Sequence, residues 1–108
     1  MKTIKNYSLQ ILSAAILVSI VSCSKTNTDT GSLYTPTNSD VTANATLSEL
    51  QQGRSLYINN CGVCHGLYSP DNFTPTQWKS VLNNMAPRTD MTSQQILLVT
   101  KYVCRGKQ

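Results

Sequence analysis

Cys61-Gly62-Val63-Cys64-His65 is the stretch on which the reading of this chain turns. Two thiols three positions apart, with an imidazole directly after the second, can all reach one flat macrocycle. Each thiol adds across a vinyl group of a porphyrin, and the imidazole then lies under the iron as proximal ligand. This is the attachment signature of a c-type haem. The spacing is short because both thioethers and the His–iron bond form on one side of a single ring. The motif occurs once in the 108 residues, so one covalently bound haem c is expected.

The N-terminus places that motif in a compartment. Lys2 and Lys5 precede a mostly apolar run, Leu9 to Val21. A short basic region followed by an apolar one has the shape of a secretory signal peptide. The run falls short of the ~20 residues that a membrane-spanning helix needs. Ile20-Val21-Ser22-Cys23 resembles a bacterial lipobox, which implies cleavage after Ser22 and a diacylglycerol on the Cys23 thiol. Two or three acyl chains anchor a protein stably, where one is marginal. The alternative is an ordinary signal peptide in which Cys23 is incidental. The expected location is the bacterial cell envelope, lipid-anchored and facing the periplasm or the exterior, where covalent haem attachment takes place.

The four cysteines are then divided without a disulfide framework: Cys23 to lipid, Cys61 and Cys64 to haem, Cys104 left over. Cys104 reads as a small buried hydrophobe or as a free thiol able to link two molecules. Without Lys2 and Lys5 the chain holds seven basic residues against five acidic ones. A balance so weak and scattered gives no basis for nucleic-acid binding, and no lysine-rich ring marks a docking face.

Residues 1–22 are thus read as a lipoprotein signal peptide, 23–45 as a lipidated flexible tether and 46–108 as the domain. The tether is rich in Thr, Asn, Ser and Asp and has too little apolar surface to offset its ordering entropy. As a coil it would span roughly 25 Å, unless Leu33, Tyr34 and Val41 pack on the domain. The domain, near 63 residues, is marginal for a core of its own. Burying roughly 400 Å² of porphyrin would contribute on the order of 10 kcal/mol.

Three helices are expected, each opened by a capping box. Thr46 with Glu49 opens one over about 47–59, with Leu50, Gly53 and Tyr57 on one face. Thr74 with Gln77 opens another over about 75–84, with Pro75 at its first position. Trp78, Val81, Leu82 and Met85 form its apolar stripe. Thr92 with Gln95 opens the last over about 93–104, carrying Ile96, Val99 and Val103 with Leu98 and Tyr102 beside them. Gly106 lies just past its end as a stop. No stretch alternates convincingly as a strand, so the fold class is all-α.

The segment Gly53-Arg54-Ser55-Leu56-Tyr57-Ile58-Asn59-Asn60-Cys61-Gly62-Val63-Cys64-His65-Gly66 resembles the class I c-type cytochrome pattern G-x3-[FY]-x3-C-x2-C-H-G. The resemblance implies a small cytochrome c-like helical domain whose first helix crosses its last. Gly53 would sit at the contact, with Tyr57 and Tyr102 as aromatics beside it. It also implies a Met ligand in the loop before the last helix. Met85, followed by Ala86-Pro87, fits that spacing. Met91 is the alternative, but directly before Thr92 it already serves as a hydrophobic staple against Ile96. The resemblance further suggests that the Pro70 carbonyl orients the His65 imidazole. Pro75 competes for that role, though helix capping already accounts for it. Trp78 would lie against the porphyrin or donate its indole N–H to a propionate, or simply anchor the second helix. Leu67 to Met85 is similar to short cytochrome domains of mono- and dihaem proteins.

With His65 and Met85 on the iron, no position is left for substrate. The resemblance then implies an electron carrier rather than an enzyme. It would be a membrane-anchored monohaem cytochrome passing single electrons between a redox donor and acceptor, free or as a subunit of a larger oxidoreductase. Two other classes are weighed against it. A haem sensor or peroxidase-like protein needs an open distal site, and His65 is the only histidine. A thiol–disulfide oxidoreductase would use Cys61 and Cys64 in a thioredoxin-like context with strands. A zinc site at Cys61, Cys64 and His65 has no clear fourth ligand.

Overall fold

Thr46, Thr74 and Thr92 each stop an extended segment and start a helix. In every case the threonine hydroxyl accepts from the backbone N–H three residues on. The side chain of Glu49, Gln77 or Gln95 accepts from the threonine N–H in return. The structure, a computed structural model, describes residues 33–108. Its helices are α1 (Leu47–Cys61), α2 (Pro75–Met85) and α3 (Ser93–Val103), with 3-10 turns at Asn38–Asp40, Pro70–Asn72 and Ala86–Arg88. Among the described residues there is no strand, only an isolated bridge between Thr42 and Ala45. The expected signal peptide, Cys23 and the first part of the tether lie outside the described residues. No helix among the described residues is long and apolar enough to cross a membrane.

The expected starts of the helices agree with the structure, and the ends differ slightly. α1 continues through Cys61, and in its last turn the Asn60 amide donates to the Leu56 carbonyl at 2.8 Å. α3 ends one residue earlier than expected, in a Schellman motif. The Gly106 N–H reaches the Lys101 carbonyl at 2.8 Å, and the Arg105 N–H reaches the Tyr102 carbonyl at 3.0 Å. Both turn residues are left-handed, Arg105 with φ 51° and Gly106 with φ 66°. A non-glycine residue there costs about 1–2 kcal/mol. Arg105 offsets this with its guanidinium, which bonds both carboxylate oxygens of Asp71, at 2.9 and 2.8 Å.

The core forms where α1 crosses α3. Gly53 is buried, and a Cβ built on it would lie 2.1 Å from the Leu98 carbonyl oxygen and 2.8 Å from Tyr102 Cβ. Only a residue without a side chain admits α3 this closely. Leu50, Val99, Tyr102 and Val103 are fully buried around the crossing, and Trp78 and Leu82 close the core from α2. The Tyr57 ring bridges the layers, 5.9 Å from Tyr102 and 6.0 Å from Trp78.

The expected tether is too long. From residue 33 onward the chain packs on the domain. Leu33, Pro36 and Ala45 are buried. Tyr34 stacks on Tyr102 with ring centroids 4.7 Å apart. Each tyrosine hydroxyl donates to the other's backbone carbonyl, at 2.8 and 3.0 Å. Arg105 covers the outer face of Tyr34 at 3.8 Å, a cation–π contact. Val41 stays exposed. Polar composition suggested a solvated coil, but two aromatic residues and a few hydrogen bonds suffice to order this segment.

Ion pairing supports the same crossing. Lys101 on α3 lies 2.6 Å from Glu49 on α1. The Lys101 ammonium, with the Thr46 N–H, holds the Glu49 carboxyl down to about 2. A carboxylate depressed in the folded state stabilises above its ordinary pKa, and that contribution fades as pH falls toward the folded value.

Two outcomes follow from the crossing. Overpacking costs about 1–3 kcal/mol, and a clash with backbone puts Gly53→Ala at the upper end. That exceeds the ~1 kcal/mol that Ala gains over Gly in a helix. A net loss near 2 kcal/mol is therefore expected, read as a lower urea midpoint with unchanged slope. Glu49→Gln keeps the capping acceptor and removes only the titrating partner of Lys101. Between pH 4.5 and about 2, the melting temperature of the wild type should fall more steeply than that of Glu49→Gln.

Candidate functional site

The C-terminal end of α1 delivers Asn60 and Cys61 to one side of a cavity. The turn that follows brings Val63, Cys64 and His65 to the same rim. α2 supplies Trp78, Val81, Leu82 and Met85 to the wall, and Arg88, Thr89 and Asp90 complete the lining. The cavity measures about 550 Å³, well within the range of cofactor sites. Its wall is largely apolar and aromatic. Two thiols, one imidazole and one thioether therefore converge on a single space. This donor set and these walls fit the haem expected from the motif: thiols to attach it, nitrogen and sulfur to meet iron, and an apolar wall for the macrocycle.

His65 is exposed, and its Nδ1 lies 2.7 Å from the Gly66 carbonyl. A carbonyl only accepts, so Nδ1 carries the proton and the Nε2 lone pair is left for a metal. The carbonyl that orients His65 thus belongs to Gly66 and not to Pro70. The Pro70 carbonyl instead accepts the Trp78 indole N–H at 2.8 Å. That bond also corrects the propionate role considered for Trp78, because its single donor is already engaged. Trp78 remains a wall of the cavity and an anchor of α2 together. Pro70 itself is buried and lies off the cavity lining.

The two methionines separate. Met85, the last residue of α2, lines the cavity, while Met91 packs against the hydrophobic core. The turn Ala86–Arg88 holds this arrangement, with the Thr89 N–H and hydroxyl both donating to the Ala86 carbonyl, at 3.0 and 2.9 Å. Cys104 is buried in the core at the end of α3, outside the cavity lining, and its thiol donates to the Pro75 carbonyl.

Several lining residues were not singled out from sequence: Asn60, Arg88, Thr89 and Asp90. The polar run directly after Met85-Ala86-Pro87 was the available signal for the last three. The Gly66 carbonyl left no side-chain signal at all.

The electrostatics tell against thiol chemistry. Burial pushes the Cys61 thiol up to about 11, so it stays protonated at neutral pH. It also lies at the C-terminal end of α1, where the helix dipole opposes a thiolate. A disulfide-exchange nucleophile needs the reverse. Among the described residues no group of three His, Cys, Asp or Glu side chains is arranged to hold a metal ion, which leaves the zinc reading without support.

No family model matches the chain, and no solved structure matches it. Over 56 residues it is 34% identical to the "Cytochrome c-type protein TorY" of Haemophilus influenzae. The match takes in 52% of this chain and 15% of that protein, so the chain spans a small part of its relative's length. The similarity is to a c-type cytochrome. With three helices and no strand among the described residues, the fold is a small all-α domain of cytochrome c-like build.

Proposed function

We propose that this chain is a monohaem c-type cytochrome. In this reading it carries single electrons between redox proteins outside the cytoplasm. The observation that carries the proposal is the convergence of Cys61, Cys64, His65 and Met85 on one apolar-walled cavity. Cys61 and Cys64 would hold the haem covalently, and His65 and Met85 would hold its iron. Bound there, the group supplies one-electron chemistry.

The chain's own residues set the terms of that chemistry. The Gly66 carbonyl keeps the His65 proton on Nδ1 and so presents Nε2. Trp78, Val81 and Leu82 exclude water from one wall. A thioether ligand and an apolar surround both favour the less charged ferrous state and raise the potential. If His65 and Met85 both held the iron, no position would be left for substrate, which supports a carrier over a haem sensor or peroxidase-like protein.

The lipobox-like Ile20-Val21-Ser22-Cys23 supports lipid attachment at Cys23 and a place on the cell envelope. Since the domain begins by residue 33, about ten residues separate lipid from domain. Ten residues reach at most about 35 Å, so the domain would stay close to the bilayer. Donor and acceptor are redox proteins. The segment shared with a c-type cytochrome supports their nature.

Protein from a strain with haem-maturation machinery tests this. Mass spectrometry should show one haem and a lipid at Cys23, and the pyridine haemochrome should report two thioethers. The ferric spectrum should contain a sulfur-to-iron charge-transfer band. Met85→Ala should lose that band and fall in potential, while Met91→Ala should keep both. A high-spin ferric wild type would sink the His/Met assignment.

A further inference from the structure

Two buried polar side chains in the cavity wall reach beyond it to the loop that follows His65. Tyr57 Oη donates to the Tyr68 carbonyl at 2.8 Å, and Trp78 Nε1 donates to the Pro70 carbonyl at 2.8 Å. The acceptors stand two residues apart in one loop, and the donors come from different helices, α1 and α2. Tyr57 is 3% exposed and Trp78 1% exposed. Their rings meet edge-on with centroids 6.0 Å apart. Burial raises the Tyr57 phenol well above its ordinary pKa, so it stays a neutral donor.

Filling the core would need only the rings. A buried O–H or N–H must find a partner, and both here find a carbonyl in the same short segment. That segment bears on His65 directly, since the Tyr68 ring lies 5.7 Å from the imidazole. Phe73 closes the set, 5.4 Å from Tyr68 and 5.0 Å from Trp78.

We propose that Tyr57 and Trp78 are positioning residues, whose two hydrogen bonds clamp the Tyr68 and Pro70 carbonyls and so hold the loop that orients His65. The role rests on the haem reading above. Releasing the clamp would let the loop open further and admit more water beside the iron. Water favours the more charged ferric iron, so the potential falls.

The test uses holoprotein of the wild type, Tyr57→Phe, Trp78→Phe and Thr46→Ala. Amide hydrogen exchange and the midpoint potential are measured on each. The Asn72 N–H, bonded to the Ser69 carbonyl at 2.9 Å, reports on the loop. Loss of one buried hydrogen bond should speed its exchange about five- to tenfold. In Tyr57→Phe the amides of α3 should stay near their wild-type rates, and the potential should fall. Thr46→Ala weakens the cap of α1 instead; it should speed exchange in the helices and leave the potential unchanged. Trp78→Phe should match Tyr57→Phe, and if it does not fold, Tyr57→Phe alone decides. Exchange that rises evenly over the domain in Tyr57→Phe overturns the clamp, as does an unchanged Asn72 with an unchanged potential. A wild type without thioether-bound haem overturns the function proposed above and the positioning role with it. A haem-loaded wild type whose Tyr57→Phe variant behaves identically overturns the clamp alone.

Discussion

The approach of α3 to α1 at Gly53 is the contact on which the rest of the structure depends. With no side chain at Gly53, the Leu98 carbonyl comes close enough that any Cβ would overlap it. That approach brings Tyr57, one turn further along α1, against Tyr102. It also sets the direction in which α1 ends, and therefore where Cys61 is delivered. A small domain cannot bury enough surface to tolerate a loose helix pair, so the crossing is tight, and the Glu49–Lys101 pair and the buried aromatics gather around it.

Aromatic rings extend this contact in both directions. Toward the N-terminus, Tyr102 receives Tyr34, and Arg105 lies over Tyr34 while gripping Asp71. The segment before α1 is thereby tied to the end of α3 and to the loop after the motif. Toward the cavity, Tyr57 meets Trp78, and Trp78 meets Phe73. Aromatic side chains suit this work because each buries a large area and keeps one polar atom for a directed bond. Here the polar atoms of Tyr34, Tyr57, Trp78 and Tyr102 all end on backbone carbonyls.

The cavity is consequently built from helix on one part and a short loop on another. α2 contributes its apolar stripe as the wall, and the tight turn after Met85 keeps that thioether on it. The motif loop is the exposed part. Cys64, His65 and Gly66 face solvent, and Val63 is 78% exposed.

Much of this was legible in the residues alone. The three capping boxes, the apolar stripes and Gly53 located the helices and their contact, because capping and periodicity act over a few neighbouring residues. Cys61, Cys64 and His65 could be read as one cluster because the motif fixes their spacing, and all three line the cavity. The ends of α1 and α3 moved by a residue or two, since side-chain and Schellman bonds decide them. What the chain order could not reveal were contacts between residues distant along it. Tyr34 stacking on Tyr102 turns half of an apparent tether into part of the domain. Trp78 donates to the Pro70 carbonyl, and His65 meets the carbonyl of its own neighbour Gly66. Local propensity and motif chemistry were set by the sequence itself. Which donor meets which acceptor was decided only when burial brought the Tyr34, Tyr57 and Trp78 donors against backbone carbonyls distant along the chain.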